Sequence, residues 1–184
     1  MSLTGWIIVG VIVVIALFLI VIYNRLVSLR QTVNQSWSDI TVQLKQRHDL
    51  IPNLVETVKG YAAHERGTFE AVTNARANAI NAQSPAEQAQ AENVLSGALK
   101  SLFAVAEAYP DLKANQNFLN LQEELTSSED RVAYARQYYN DSVLNYNTQI
   151  QKFPTVLLAG MFHFEQREFF DAAPEDTETP QVQF

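Results

Sequence analysis

The pattern of apolar positions begins with one uninterrupted run near the N-terminus. Leu3 to Tyr23 contains no Asp, Glu, Lys, Arg or His. These roughly 21 residues would extend about 31 Å as a helix, which matches the hydrocarbon core of a bilayer. Trp6 and Tyr23 lie near its ends, where aromatic rings favour the membrane interfaces. A cleaved signal peptide fits less well, because no basic segment precedes the run and no small-x-small site ends it. We therefore expect residues 1–24 to form an uncleaved, single-pass anchor.

The flanking charges predict an orientation for this anchor. Only the α-amino group precedes the apolar run, whereas Arg25 and Arg30 follow it. Cationic residues concentrate on the cytoplasmic side of membrane spans. The N-terminus is therefore expected outside the cell membrane and the C-terminal domain in the cytoplasm.

After the anchor, apolar residues recur at alternating steps of four and three, which is the spacing of a heptad seam. No helix breaker separates this seam from the apolar run, so one helix should continue from the bilayer to about Leu50. Arg30 and Arg47 occupy seam positions despite their charge. The seam residues are Leu26, Arg30, Val33, Trp37, Ile40, Leu44, Arg47 and Ile51.

Three further amphipathic segments are separated by prolines. The second should begin near Pro52 and end near Gln83. The third should begin at Ser84, where Glu87 completes a capping box, and end before Pro110. The fourth should run from about Asp111 to Lys152. The pattern predicts an all-α protein in which residues 25–170 form an elongated antiparallel four-helix bundle.

The C-terminal part divides into an aromatic and an acidic stretch. Thr155 to Phe170 is too short for another full bundle helix and is rich in phenylalanine, including Phe162 and Phe164. Large aromatic side chains are seldom left exposed together, so we expect the bundle or a neighbouring subunit to cover them. Residues 171–184 are acidic and have few large apolar groups, which predicts a disordered tail.

Composition and motifs argue against several functional classes. The net charge is −7 and the pI is about 4.9, which disfavours nucleic acid as a partner. There is no cysteine, hence no thiolate nucleophile or disulfide. None of His48, His64 and His163 has a glutamate three residues before it, as a di-iron bundle requires. We expect no enzymatic activity, no cofactor and no metal ion.

Arg47 and the pair Arg136 and Tyr139 are polar positions within the helices, and each has two possible interpretations. Arg47 either packs its stem while its head reaches solvent, or forms a buried ion pair with Glu65 or Glu107 that fixes the helix register. Arg136 and Tyr139 are expected either to form hydrogen bonds between helices or to line a ligand pocket.

Several ordered motifs closely resemble the LemA family of bacterial membrane proteins, from the anchor to about Phe170. The resemblance implies a single-pass membrane protein with a long helical bundle in the cytoplasm, and it does not supply an enzymatic activity. The segments that carry it include Tyr23–Val27, Trp37–Lys45, Arg47–Val55, Glu107–Ala114 and Leu121–Leu125.

These observations favour a non-enzymatic scaffold or interaction protein that assembles at the membrane, as a homo-oligomer or with other membrane proteins. Leu26, Leu29 and Val33 are predicted to be free to pack against a neighbouring copy; the alternative is that lipid headgroups or the C-terminal loop cover them. An alternative hypothesis is that the protein is a sensor or adaptor that binds a small ligand near Arg136 and Tyr139. An enzyme would instead require a pocket with converging titratable groups.

Overall fold

The structure is a computed structural model that describes residues 2–170 of the 184-residue chain. All regular structure in this described part is helical, which confirms the predicted all-α class, with a long apolar helix at the N-terminus. The antiparallel four-helix arrangement stays a prediction. The predicted disordered tail, 171–184, lies outside the described residues. The helices are α1 (Leu3–Lys59), α2 (Arg66–Asn81), α3 (Pro85–Glu107), α4 (Pro110–Lys113), α5 (Gln116–Gln151) and α6 (Thr155–Met161).

The described residues form two compact units, and both contain parts of α1 and α5. Unit 1 comprises the described residues within Met1–Ser38 and Tyr138–Arg167. Unit 2 comprises the described residues within Asp39–Gln137 and Glu168–Phe184. The predicted division into an anchor over 1–24 and a single domain over 25–170 stays a prediction.

Helix α1 continues through Pro52 to Lys59, so the helix break predicted at this proline is wrong. Proline lacks the amide hydrogen that would bond to the carbonyl of residue 48. The side chain of Arg76 replaces that donor, because its Nε donates to the His48 carbonyl oxygen at 2.8 Å. The helix ends instead beside Gly60, a residue of low helix propensity.

The next helices begin with residues suited to their positions. Ser84 caps α3 by accepting a hydrogen bond from the Glu87 amide at 3.2 Å, as the capping box predicts, and Pro85 occupies the first turn. The predicted fourth segment is divided, because α4 is a separate short turn of helix. Asn115 then accepts a hydrogen bond from the Phe118 amide at 3.2 Å at the start of α5.

The apolar core of unit 2 is built by residues from α1 to α5. Leucine, valine and phenylalanine side chains at helical spacing are withdrawn from solvent together, which is the main source of stability in a helical domain. The largest members of the cluster are Ile51, Leu54, Val58, Phe69, Val72, Leu95, Leu99, Leu102, Leu112, Phe118 and Leu125.

In unit 1, the C-terminal segment packs against α1. The ring of Phe164 lies 5.9 Å from that of Tyr23 between centroids, and the Arg30 guanidinium lies 5.1 Å above the same phenylalanine ring. Leu26 and Val33 are only 1% and 3% exposed within the chain itself. The prediction that these two residues are free to pack against a neighbour is therefore wrong. Leu29 is half-buried.

The aromatic residues of this segment have different environments. Phe164 and Phe170 are buried within the chain itself, which confirms for these two rings the prediction that they are covered. Phe162 contacts Tyr23, with 4.9 Å between ring centroids, but it stays partly exposed, as does Phe169. For the latter pair, cover by a neighbouring subunit stays a prediction.

Candidate functional site

The most unusual feature of unit 2 is a buried polar cluster, the Arg47 network, formed by Arg47, His48, Gln88, Glu92 and Ser96. Arg47 is 3% exposed, although arginine is seldom buried without a partner. Its Nη1 atom donates to Glu92 Oε2 at 2.9 Å, and its Nη2 atom donates to Ser96 Oγ at 2.9 Å. The guanidinium is therefore held by two groups on α3.

Both carboxylate oxygens of Glu92 have partners. His48 Nε2 lies 2.6 Å from Oε1, and Gln88 Nε2 donates to the same oxygen at 2.9 Å. An ionised carboxylate has only acceptors, so the hydrogen shared with histidine belongs to Nε2 in that state. Gln88 also donates to the Ala79 carbonyl at 3.0 Å, which joins the network to α2.

A second carboxylate lies at the edge of the network. Glu129 Oε1 is 3.7 Å from Arg47 Nη2, and the Glu129 side chain is 59% exposed. Water screens such a contact, so its contribution is small beside that of Glu92. The Glu92 carboxylate therefore supplies the main counter-charge for the buried arginine.

The sequence singled out Arg47 as a possible member of a buried ion pair, and the structure contains such a pair. The predicted partners Glu65 and Glu107 are wrong, because the partner is Glu92. Sequence reasoning missed Glu92 and its neighbour Gln88. The available signal was their spacing: they lie four residues apart and continue the inward-facing stripe of α3, and both are buried.

The geometry of the Arg47 network fits a structural role better than a catalytic one. Arg47, His48 and Glu92 bond to other members of the network and are withdrawn from solvent, which leaves them poorly placed to meet a substrate. Buried ion pairs contribute little net stability compared with apolar packing, but they penalise any arrangement that separates the partners. Within residues 2–170, no three His, Cys, Asp or Glu side chains are grouped so that they could hold a metal ion.

In unit 1, the predicted site residues Trp37 and Tyr139 contact each other, with ring centroids 5.3 Å apart. Tyr139 is buried. Arg136 is half-buried on α5, and the ligand pocket proposed for it stays a prediction.

Asn147 holds the segment that follows α6, and the neighbouring Tyr146 is buried. Asn147 makes a two-point contact with the backbone of Arg167: Nδ2 donates to the carbonyl oxygen at 2.9 Å, and Oδ1 accepts from the amide at 2.9 Å. Burial raises the pKa of the Tyr146 hydroxyl above its usual 10.0, and the positive charges of Arg167 and Arg30 oppose that rise. The C-terminal segment is thus fixed to α5 by hydrogen bonds as well as to α1 by aromatic contacts.

Among the described residues, one helix is long and apolar enough to be a candidate membrane span. It is α1, in which an 18-residue window has a mean hydropathy of 3.2 and none of it is buried inside the protein. These features define an all-α protein with a candidate span at its N-terminal end.

The particular family follows from comparison with known proteins. The family model for the LemA family matches residues 36–184, so the chain belongs to the LemA family. This confirms the resemblance noted in the sequence motifs.

Curated relatives extend the comparison. The chain is 28% identical to magnetosome protein MamQ 2 of Paramagnetospirillum magneticum, over 87% of this chain and 70% of that protein. It is 27% identical to magnetosome protein MamQ of Magnetospirillum gryphiswaldense, with the same coverage. It is also 26% identical to protein LemA of Metamycoplasma hominis, over 82% of this chain and 69% of that protein.

Proposed function

We propose that this LemA-family chain is a membrane-anchored, non-enzymatic scaffold that assembles at the membrane as a homo-oligomer or with other membrane proteins. The observation that carries the proposal is the continuity of α1. Within one helix, an 18-residue apolar window has no buried residue, whereas later residues such as Ile40 and Ile51 belong to the protein interior. A helix with these two parts is suited to connect a bilayer to a folded domain.

The relatives support a structural role. The two MamQ relatives are named as magnetosome proteins, and that name specifies no reaction. The closed geometry of the Arg47 network agrees with this, since its charged groups bind one another.

Anchoring brings an advantage for assembly. Confinement to a surface raises the effective concentration of copies for lateral contacts, so weak protein–protein contacts suffice. We test assembly by counting fluorescently tagged copies per complex in native membranes extracted as lipid nanodiscs. Complexes of several copies support the scaffold, and single copies without any other protein contradict it.

Membrane insertion is tested by charge substitution in the centre of the run. Arginine at the centre of a membrane helix costs about 2.5–3.5 kcal/mol per residue. The full chain should resist extraction by alkaline carbonate, whereas the double variant Ile12→Arg, Val13→Arg should be released. Val42→Arg, at an exposed position of the same helix, is the matched control and should stay in the membrane. Extraction of the unaltered chain would refute the anchor.

The orientation has its own test. With Arg25 and Arg30 on the cytoplasmic side, a reporter fused after Phe184 should be active only if it is of a kind that works in the cytoplasm. Labelling of that end in intact cells by a membrane-impermeant reagent would show the opposite orientation.

One observation favours the alternative, a ligand-binding sensor or adaptor. Among the described residues, the buried Gln43 Oε1 acceptor and Arg47 Nε donor have no hydrogen-bond partner. A small polar ligand could satisfy both. Such a ligand would raise the melting temperature of the unaltered chain but not that of Gln43→Met, and a screen without any such difference would reject this alternative.

A further inference from the structure

The short helix α6 presents an apolar stripe to the surface of unit 1. Residues 153–162 contain no charged side chain. Leu157 and Met161 lie four residues apart on α6 and are 65% and 70% exposed, and Phe153, in the turn that precedes the helix, is 81% exposed. Soluble proteins seldom leave such a cluster open to water, so we expect another molecule to cover the stripe.

An apolar groove of about 510 Å³ lies between α6 and the end of the apolar run in α1. One wall is formed by residues of the candidate membrane span and the other by α6. Its lining residues are Leu19, Ile20, Ile22, Tyr23, Pro154, Leu157, Leu158, Met161 and Phe162.

We propose that α6 is a second membrane contact, which lies in the bilayer interface beside the anchor and takes lipid acyl chains into this groove. The proposal rests on the membrane anchoring proposed above. It goes further in assigning the C-terminal segment, and not only the N-terminal helix, to the bilayer.

Depth supports lipid as the occupant. Leu19 precedes Tyr23 by four residues, so the groove reaches about 6 Å back along the span from its end at 1.5 Å per residue. Interfacial helices bury their apolar face about 5–10 Å into the headgroup and acyl boundary. The seven residues of α6 are far fewer than the roughly 20 needed to cross the bilayer, so the helix can contact the membrane only by lying along its interface.

Continuity and charge also favour lipid. Leu19 and Ile20 are exposed residues of the span itself, so lipid that surrounds the span already contacts one wall of the groove. Arg25 and Lys152 are exposed just beyond the two apolar stretches, where cationic side chains interact with lipid phosphates.

Site-specific fluorescence in the full-length protein tests the contact, because the chain has no native cysteine. Single cysteines at Leu157 and Met161 carry an environment-sensitive dye, and the protein is reconstituted in phosphatidylethanolamine and phosphatidylglycerol vesicles. Val13→Cys is the reference for the bilayer interior, and Asn145→Cys, at an exposed position of unit 1, is the reference for water. Quenching is measured with lipids that carry a nitroxide on the acyl chain and with iodide present on both sides.

Nitroxide lipids should quench the dye at Leu157 and Met161 severalfold more than at Asn145, and iodide should quench it severalfold less. Quenching like that of Asn145 would overturn the proposal by placing α6 in water. Protection from both quenchers would overturn it in favour of a protein partner. Loss of lipid quenching at Val13 would instead refute the anchor, so the two failures are distinguishable.

A charge substitution gives a second test in the same system. Leu157→Glu should reduce lipid quenching of the dye at Met161 severalfold, because a carboxylate opposes burial in the interface. Leu144→Glu, at an exposed apolar position on α5, is the matched control and should leave it unchanged. Equal effects of the two substitutions would refute a specific role for α6.

Discussion

The Arg47 network makes a quantitative prediction for the variant Arg47→Met. Methionine retains much of the apolar stem but removes both hydrogen bonds of the guanidinium, to Glu92 and Ser96. The Glu92 carboxylate, 5% exposed, then stays buried without its main counter-charge. Removal of one partner from a buried ion pair costs about 3–5 kcal/mol. The contact with the exposed Glu129 adds less than about 1 kcal/mol.

Thermal unfolding of the full chain in mild detergent, followed by far-ultraviolet circular dichroism, measures this cost. In chains of this size each kcal/mol lowers the melting temperature by about 2–4 °C, so the expected fall is about 6–20 °C. The double variant Arg47→Met, Glu92→Gln should be less destabilised than Arg47→Met alone, because the neutral amide needs no counter-charge.

Arg131→Met is the control, since Arg131 is exposed and, within residues 2–170, its donor bond goes to Ser127 on its own helix. It should change stability by no more than about 0.5 kcal/mol. The reasoning is refuted if Arg47→Met has the same melting temperature as the control. It is also refuted if the stability losses of the substitutions at positions 47 and 92 are additive in the double variant.

Three further predictions concern other contacts and are tested by measuring the stability of variants. Arg76→Met should lower the unfolding free energy by about 1–3 kcal/mol because it leaves the His48 carbonyl of α1 unpaired. The loss should be smaller in a Pro52→Ala background, in which the alanine amide can bond to that carbonyl. Equal losses in both backgrounds would contradict this. Phe164→Ala should cost about 3–5 kcal/mol, and the exposed Phe153→Ala less than about 1 kcal/mol; similar values would show that the C-terminal segment is not packed. The raised pKa of Tyr146 means that the folded chain holds this proton more tightly than the unfolded chain, so the unfolding free energy should fall as pH rises above 10.0, and less steeply in Tyr146→Phe; parallel pH profiles would disprove this.

The sequence was most informative where a pattern is local. The charge-free run predicted the apolar helix, and Ser84 with Glu87 predicted the start of α3, because both signals lie within a few residues of the structure they specify. The break at Pro52 was predicted wrongly, since the donor that replaces the proline amide belongs to Arg76 on another helix. A contact between helices leaves no mark in the local pattern.

The same distinction applies to the candidate site. A charge at a seam position pointed to Arg47. The identity of its carboxylate partner depends on how α3 packs in unit 2, and the local sequence pattern does not contain that information. Leu26 and Val33 were expected to be free because the other helices were expected to be too short to cover them, with lipid headgroups or the C-terminal loop as the alternative cover. Phe164 reaches α1 in this region and contacts Tyr23 and Arg30.

The cap at Ser84 also limits where the chain can change in length. It fixes the start of α3, and Glu92 lies seven residues after Pro85, which is about two helical turns. One residue inserted between them would turn everything beyond it by about 100° relative to the cap, so the cap and the carboxylate could no longer both keep their partners. Ala82 and Gln83 form the connection before the cap, outside both helices, and an insertion there would not change the spacing between Ser84 and Glu92. Length differences between this chain and its relatives should therefore accumulate in that connection, while the first two turns of α3 keep a constant number of residues.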